Sequence, residues 1–600
     1  MPREHGIRSA GVREGLDRLI MRGVHVVLLC VALVMVVAVP SGCELTPDVY
    51  KAEADDFVDS TINAKWDARF GLKPSTSLDE PRLPRDPNVL RVMLPEDGVM
   101  SLPLAVAIAL QNSREYQIEK EMLYQSALDL RLAQHVFEPN PFALLGMGYA
   151  VTERPEKKLN TDKVGGFVLD VEEKTDVTTE RKYGAESDIG FNQVLSTGAV
   201  LSARLAVGWV KILTGDVDEG LTTIISATIS QPLLRGAGRE IVLEQLTQAE
   251  RNVLYQIRSF NRFRQSLVVD VISQYYLVLQ LADEVENARA NYESIEVIHE
   301  KVEALARVGR MPRHELEEAE QERLSARDVY LTAQREYAQA LDNLKLLLAL
   351  PPQMEFTLDT AVLERLRTHK VEELGLAEAD ALAAAEVYRL DLANRVDRVI
   401  DAERKANVAL DRIRTELNLV GMANRDVADR RSFGSPLGVV TAEDSFRIDA
   451  ELDLPLDRLA EKNDYRLALI ALDQARRAEE ELRDLIVAEV RAAYRNLREA
   501  HDRYRVQTEA YALAKRRLDN TLMLLQYRRT NVRDVLRAQE DLYQSRVDAT
   551  DAVTDFAIAL MEFCRDTGLL QVRPDGTWQE GLARARASQP SRTPIASPNG

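Results

Sequence analysis

ISQPLLRGAGRE (residues 229–240) and LDLPLDRLAEKN (residues 452–463) are the stretches that decide the fold. In each, a strand-like run reaches a proline, Pro232 or Pro455, and a long helix-forming run follows it. We interpret both as passages from strand to helix. The two prolines lie 223 residues apart, which is the first sign that the chain repeats itself.

A second pair of related stretches supports the repeat. PRHELEEAEQERL (312–324) matches NVRDVLRAQEDL (531–542), and aligning Glu315 with Asp534 gives a separation of 219 residues. The two landmarks agree to within four residues, so a duplicated module is the simplest explanation.

The repeat predicts the order of elements in each copy. The chain divides into a first copy at 97–350, a linker at 351–377 and a second copy at 378–570. Each copy runs helix, strand region, very long helix and shorter helix. The predicted elements are helices 101–137, 239–307 and 313–350 with strands within 141–232, and helices 378–412, 462–527 and 534–569 with strands within 413–457.

The long helices carry a seven-residue apolar repeat, which is typical of helices that stay in contact while they supercoil. At 1.5 Å per residue they would be roughly 100 Å long, longer than the core of an ordinary globular domain. The repeat in the first long helix comprises Leu246, Val253, Phe260, Leu267, Gln274, Leu281, Ala288, Ile295 and Val302.

The strand FRIDAELDL (446–454) alternates strictly between apolar and charged residues. Its charged residues are Arg447, Asp449, Glu451 and Asp453. A lipid-facing side and a water-filled lumen ask for this pattern, so these four are candidate lumen residues. A half-buried strand on a soluble sheet is the alternative.

The predicted strands are too few to close a barrel within one chain. A bilayer does not tolerate open sheet edges, and the smallest single-chain outer-membrane barrels have about eight strands. If these strands span a membrane, several copies must share one barrel.

The N-terminus predicts export. A basic region precedes the apolar run 24–40, which is short for a membrane anchor and suited to a signal peptide. The run ends in PSGC, which resembles the bacterial lipobox and implies a lipid on Cys43, although Pro40 stands where leucine is usual. The alternative is an ordinary signal peptide cut nearby. Residues 1–43 are assigned to the signal.

Three other segments lie outside this pattern. Residues 152–188 are polar and charged, and they predict either a long surface loop or an added hairpin. Residues 44–96 are interpreted as an N-terminal extension, and 571–600 as a disordered tail because its end is rich in serine and proline.

Composition argues against catalysis and against nucleic acid. The net charge of −19 disfavours a phosphate-binding surface. The three cysteines, Cys30, Cys43 and Cys564, form no CxxC pair, and no two histidines share a helical turn. No nucleotide-binding or nucleophile motif is present. The sequence therefore predicts neither an enzyme nor a cofactor or metal site.

Four motifs resemble the outer membrane efflux (TolC-like) family over roughly residues 97–570. They are LPLAVAIALQNSREYQIE (102–119), QPLLRGAGR (231–239), AEQERLSAR (319–327) and DVLRAQEDLYQSR (534–546). The strand-to-helix motif places Gln231, Pro232, Gly236 and Pro455 at the two junctions.

The resemblance implies a mainly α fold with a small β portion: a long α-helical barrel joined to a trimeric transmembrane β-barrel of twelve strands. It implies a homotrimer in outer-membrane lipid, a helical part in the periplasm, and a periplasmic adaptor and an inner-membrane transporter as partners. The implied function is a passive duct for efflux or type I secretion.

The resemblance also implies a gate at the turn into each shorter helix. Carried over by position, its acidic residues are Glu315 and Asp534, whereas Arg537 stands where the family has a second acid. The family's turn glycine is Gly309 in the first copy and aligns with Arg528 in the second.

The second tip is basic, because it carries Arg528, Arg529 and Arg533. These arginines could pair with Glu315 or Asp534 as a latch, or they could form a solvated tip that only meets the adaptor. An exported coiled-coil scaffold or adaptor without a pore is the alternative for the whole chain. Two complete helix–strand–helix modules favour the duct.

Overall fold

The computed structural model describes residues 47–67, 70–79, 98–164, 167–212, 219–368, 377–431, 439–527, 529–573 and 577–580. The chain divides into two compact units, residues 1–64 and 65–600. Helix α1 (Pro47–Lys65) makes up the described part of the first unit, and the second unit holds the remaining elements. Among the residues described, none of the helices combines the length and apolarity needed to cross a membrane.

The first copy contains five helices. They are α2 (Leu102–Asn112), α3 (Arg114–His135), α4 (Arg239–Val242), α5 (Glu244–Arg307) and α6 (Arg313–Leu347). Between the copies lies α7 (Ala361–Thr368). The second copy contains α8 (Glu378–Tyr388), α9 (Leu390–Arg412), α10 (Leu459–Gln526) and α11 (Val532–Asp566).

The strands form one large sheet and two small pairs. Strands β1 (Val99–Met100) and β6 (Thr357–Leu358) pair in parallel, and β9 (Leu570–Val572) pairs with β10 (Trp578–Glu580). The large antiparallel sheet has the order β2-β3-β4-β5-β7-β8. Its strands are β2 (Asn140–Val164), β3 (Phe167–Val194), β4 (Val200–Ile212), β5 (Glu219–Pro232), β7 (Glu416–Arg431) and β8 (Val439–Asp453).

The first helix of each copy is broken, which the sequence did not predict. The stretch 101–137 breaks at Ser113, whose backbone is extended and whose hydroxyl accepts a hydrogen bond from the Tyr116 N–H. The stretch 378–412 breaks at Arg389, also extended. Neither site carries a proline or glycine, so the pattern gave no signal. The stretch 239–307 is likewise interrupted, at Leu243.

The strand region of the first copy holds four strands, whereas the second copy has two. The stretch 152–188 belongs to a continuous hairpin, in which the backbone of β2 pairs with β3 along its length. Of the two alternatives for 152–188, a surface loop or an added hairpin, the structure shows the hairpin. The linker and the tail also contain regular structure, namely β6 and α7 in 351–377, and in 571–600 most of β9 and all of β10. The tail is thus not wholly disordered, because β9 and β10 pair.

The core follows the predicted seven-residue repeat. In α5, Val253, Phe260, Leu267, Ala288, Ile295 and Val302 are buried. One apolar cluster joins helices α8 to α11 around Ile486, Val490 and Phe563. A second joins α5, α6 and α11 near the helix tips, around Ile298, Ala319 and Val535.

Candidate functional site

The register of the sheet separates its side chains into two faces, because directly opposite residues in an antiparallel pair point the same way. One face is largely apolar on all six strands, although Ser187, Thr223 and the ion pair of Arg425 with Asp444 also lie on it. Met147 on this face is 85 % exposed and Phe446 is 74 % exposed. The residues of the apolar face are Ala143, Leu145, Met147, Tyr149, Val151, Tyr183, Ala185, Ile189, Phe191, Leu201, Ala203, Leu205, Val207, Trp209, Leu221, Ile225, Ala227, Ile229, Leu417, Leu419, Ala423, Phe446, Ile448, Ala450 and Leu452.

The opposite face carries the predicted lumen residues. Arg447, Asp449, Glu451 and Asp453 share it on β8. The Arg447 guanidinium and the Asp449 carboxylate form an ion pair of 2.7 Å. On β3 and β4, Arg204 pairs with Asp188 at 2.5 Å on the same face. The polar face is interrupted on β2, where Phe142 covers Gly190 and Leu144 is exposed.

The apolar face forms an oblique band across the sheet. One row of opposite residues comprises Pro141, Phe191, Ala203, Ala227, Ala423 and Phe446. On β2 the centre of the band lies six residues beyond Pro141, at Met147; on β8 it lies four residues to the other side of Phe446, at Ala450. The band therefore shifts by about two residues per strand. The band lies perpendicular to a barrel axis only if the strands are tilted relative to that axis, as they are in a closed barrel.

Aromatic side chains mark one end of the band. The rings of Tyr149 and Tyr183 lie with their centroids 4.9 Å apart, and Trp209 follows on β4. These residues lie on the side of the sheet away from the long helices. Outer-membrane barrels carry such aromatic girdles where the apolar band meets the headgroups.

The first strand-to-helix junction combines the predicted Gln231 and Gly236 with Asp411, which sequence reasoning missed. The Gln231 amide donates to the Thr197 carbonyl at 3.2 Å. The Gly236 N–H donates to the Asp411 carboxylate at 2.7 Å. Gly236 has φ +74°, a conformation that favours glycine, so the loop can turn towards Asp411.

The second junction uses the same neighbourhood. Arg458, three residues after Pro455, donates to the Ile413 carbonyl and, at 3.0 Å, to the Thr415 hydroxyl. The first junction also reaches this segment, because the Leu233 N–H donates to the Leu417 carbonyl at 2.8 Å. Both passages from strand to helix are therefore bound to the segment 411–417.

A polar network joins α5 to α9 below the sheet. Asp401 is buried and accepts hydrogen bonds from Tyr255 at 2.5 Å and Arg404 at 2.9 Å. Arg251 lies 3.0 Å from the same carboxylate, and Arg404 also contacts Glu244 at 2.6 Å. Burial, and then the hydrogen bond to Asp401, raise the pKa of the Tyr255 hydroxyl to about 12. The network fixes the two copies to each other.

The two helix tips share one backbone geometry. The Arg310 N–H donates to the Leu305 carbonyl, and the Arg529 N–H donates to the Leu524 carbonyl, each at 2.9 Å. The second bond lies 219 residues after the first, the separation found between Glu315 and Asp534. Gly309 has φ +70° in the first tip. Arg528, its predicted counterpart, lies outside the described residues, as does Cys43.

The structure brings some gate candidates together with a residue that was not predicted. Arg533 on α11 contacts Glu318 on α6. The pKa of Arg533 is raised, first by this bond and further by the charges of Asp534 and Glu315. Asp534 itself accepts from the Thr530 hydroxyl at 2.7 Å. Glu318 was missed because its partner is distant in sequence and depends on how α6 lies beside α11.

The described second unit has two edges that run along the whole module. Near the sheet the neighbouring helices follow the order α3, α5, α9, α10, and towards the tips the order α6, α5, α11, α10. Helix α3 leads into the edge strand β2, and the edge strand β8 leads into α10. The edge helices expose apolar residues, among them Met122 and Leu132 on α3, Leu324 and Leu331 on α6, and Leu485, Val506 and Leu513 on α10.

Within the described ranges, no group of three or more His, Cys, Asp or Glu side chains is placed to hold a metal ion. Cys564 is buried and forms no disulfide. In the described parts, the polar contacts reported above lie at the strand-to-helix junctions, at the helix tips and on one face of the sheet.

Known proteins relate to this chain mainly through structure. Residues 222–350 match the family model "Outer membrane efflux protein". No curated protein sequence matches the chain.

Three solved channels illustrate the structural likeness. The CmeC outer membrane channel of Campylobacter jejuni has a TM-score of 0.53 at 13 % identity, covering 86 % of this chain and 95 % of its own. VceC of Vibrio cholerae has a TM-score of 0.51 at 13 % identity, covering 78 % and 96 %. The open MtrE channel of Neisseria gonorrhoeae has a TM-score of 0.51 at 14 % identity, covering 78 % and 88 %.

The likeness to these channels shows a shared fold, mainly helical with an antiparallel sheet. The predicted resemblance is confirmed by the family match and the fold together. Residues 222–350 thus resemble the outer membrane efflux protein family, and the chain shares the TolC-like fold of the solved channels.

Proposed function

We propose that three copies of this chain form a passive duct across the outer membrane, with their helices in the periplasm. The duct works in a tripartite efflux or type I secretion system, with a periplasmic adaptor and an inner-membrane transporter as partners. The observation that carries this proposal is the pair of edges, α3–β2 with α6 on one side and β8–α10 on the other.

The sheet supports assembly for two reasons. Its apolar face is suited to contact with lipid, and its edge strands have backbone groups that need hydrogen-bond partners there. An unpaired backbone group in hydrocarbon costs several kcal/mol, so a lipid-facing sheet must close. Each edge differs from the other, and a contact between unlike edges generates a ring when the rotation closes. The exposed apolar residues on α3, α6 and α10 fit the same arrangement.

The scaffold without a pore remains the competing function. It would leave the apolar face of the sheet, which spans all six strands, exposed to water. Exposed apolar patches of that size mark membrane or protein contacts. The alternating charge on β8 at Arg447, Asp449, Glu451 and Asp453 supports a water-filled lumen on the other side.

Two finer features belong to the proposal. Lipid on Cys43 would anchor each copy in the outer membrane, in keeping with the PSGC motif. The tips, with Glu315, Asp534, Arg529, Arg533 and the sequence neighbour Arg528, would close the periplasmic end. Incorporation of a fatty-acid label that persists in Cys43→Ser would contradict lipidation at that residue.

Conductance tests the duct. Purified in detergent, the protein should have the mass of a trimer and should give single-channel currents in a planar bilayer. A monomer without currents would overturn the proposal and favour the scaffold.

Two neighbouring substitutions on β5 test which face meets lipid. Ala227 lies on the apolar face, in a row with Ala203, Ala423 and Phe446, and Ser226 lies on the polar face. Arginine on the lipid face of a barrel costs about 2–4 kcal/mol near the bilayer centre. Ala227→Arg should therefore abolish trimers in the membrane, whereas Ser226→Arg should leave them. The opposite outcome would reverse the faces.

A further inference from the structure

We propose that the trimer closes an eighteen-stranded barrel, in which β8 of one copy pairs with β2 of the next. This inference rests on the proposed trimeric duct and concerns the size of its wall and the surface that joins its copies. It differs from the twelve strands that the family resemblance implied.

The first reason is that the six strands form one continuous antiparallel sheet. The hairpin β2–β3 belongs to this sheet, since β3 pairs with β4 over Lys182–Val194. The apolar face also continues onto β2 and β3, at Leu145, Met147 and Ile189, with Ser187 as a polar residue among them. A hairpin outside the wall would have no need for a lipid-facing side that continues the band.

The second reason is direction. Strand β2 leaves α3 and runs away from the helices, and β8 runs back towards α10. Because the six strands alternate in direction, the two edge strands β2 and β8 run in opposite directions. When β8 meets β2 of the next copy, the pair is antiparallel, like every other pair in the sheet.

The oblique band predicts the register between copies. The centre of the band shifts by about two residues per strand within the chain. Continuing this shift from Ala450 on β8 to Met147 on β2 places Leu452 opposite Met147 of the next copy. Barrel diameter grows about linearly with strand number, so the bore at the membrane would be about one and a half times that of a twelve-stranded barrel.

Cysteine pairs test the closure. Leu452→Cys with Met147→Cys, oxidised in outer-membrane vesicles with copper phenanthroline, should give covalent trimers on non-reducing gels. Leu145→Cys and Tyr149→Cys, each combined with Leu452→Cys, scan the neighbouring registers. Ala227→Cys with Ala423→Cys, directly opposite within one chain, is the positive control for oxidation and should leave the chain monomeric on the gel.

A competing pair distinguishes the two barrel sizes. If the β2–β3 hairpin lies outside the wall, β4 becomes the edge, and Leu452→Cys should join Leu205→Cys of the next copy. That product would overturn the eighteen-stranded barrel. A conducting trimer that cross-links at neither edge would also overturn it. Both results would leave the duct intact, whereas the absence of trimers and currents would remove the proposed function itself.

Discussion

The two copies of the module agree in their helices and differ in what surrounds them. Their long helices have 64 and 68 residues, and their shorter helices have 35 residues each. Yet α5 is packed on several sides within the chain, while α10 lies at the edge and leaves Leu485, Val506 and Leu513 exposed. The two long helices therefore share a length and differ in burial: α5 packs within the chain, and in the proposed trimer the exposed side of α10 would meet a neighbouring copy.

The largest difference in stability between the two copies is expected at the points where their first helices are interrupted, Arg389 and Ser113. Arg389 is buried and pairs with Asp391 and Glu489, each at 2.5 Å, whereas its counterpart Ser113 only caps a helix. Arg389→Ala should cost about 3 kcal/mol, because it strips two carboxylates of their partner. Ser113→Ala should cost about 1 kcal/mol. The midpoints of thermal unfolding, followed by helical circular dichroism in detergent, measure both; equal losses would contradict this ranking.

The two strand-to-helix junctions offer the next contrast. Asp411→Ala would leave the Gly236 N–H without its acceptor and should cost about 2 kcal/mol. Arg458→Ala removes donors from acceptors near the surface and should cost about 1 kcal/mol. Denaturant unfolding gives both values. Asp411→Asn keeps an acceptor oxygen and should recover most of the loss; if it does not, charge rather than the hydrogen bond matters at this position.

Acidic residues distinguish the shorter helices. Asp551 on α11 accepts from Gln280 at 2.6 Å, and the aligned residue on α6 is Thr332. Burial, with the charges of Asp555 and Glu284, raises the pKa of Asp551 to about 6, against an ordinary 3.8. The folded state therefore favours the protonated acid. Its contribution to stability is complete below about pH 4 and is lost as the pH rises through about 6.

Asp551→Asn should consequently stabilise the protein at pH 7 by about 1–2 kcal/mol and flatten the pH dependence between pH 4 and 6. Unfolding midpoints at both pH values provide the measurement. Asp328→Asn, at an exposed position on α6, is the control and should change neither. An unchanged pH profile in Asp551→Asn would show that another group titrates.

The tips should show the smallest effect on stability and a clear one on current. Arg533 pairs with Glu318, while the pseudo-equivalent positions hold His314 and Arg537, which cannot form the same bridge because neither is acidic. Glu318→Ala should raise single-channel conductance at low salt, with the difference fading in high salt. Glu317→Ala, one residue away and 71 % exposed, should not. Identical currents in the two variants would favour a tip that only meets the adaptor.

Sequence patterns predicted what depends on local periodicity. The long helices followed from the seven-residue repeat, and the β8 faces followed from strict alternation at 446–454. The hairpin could not be decided, because 152–188 is charged and lacks alternation, and its strands are defined by backbone pairing. Tyr255 and Gly236, which donate to Asp401 and Asp411, lie more than 140 residues away from them, so these contacts emerge only when the copies pack.

The segment 411–417 receives both strand exits and continues directly from α9. The segment therefore ties both passages from strand to helix to one place in the module. If the long helices of the proposed duct rotate to open the tips, these hydrogen bonds would restrain their motion at segment 411–417, between the helices and the sheet. In the proposed duct, the barrel wall would then stay in place while the helix tips move, so that opening would not disturb its contact with the lipid.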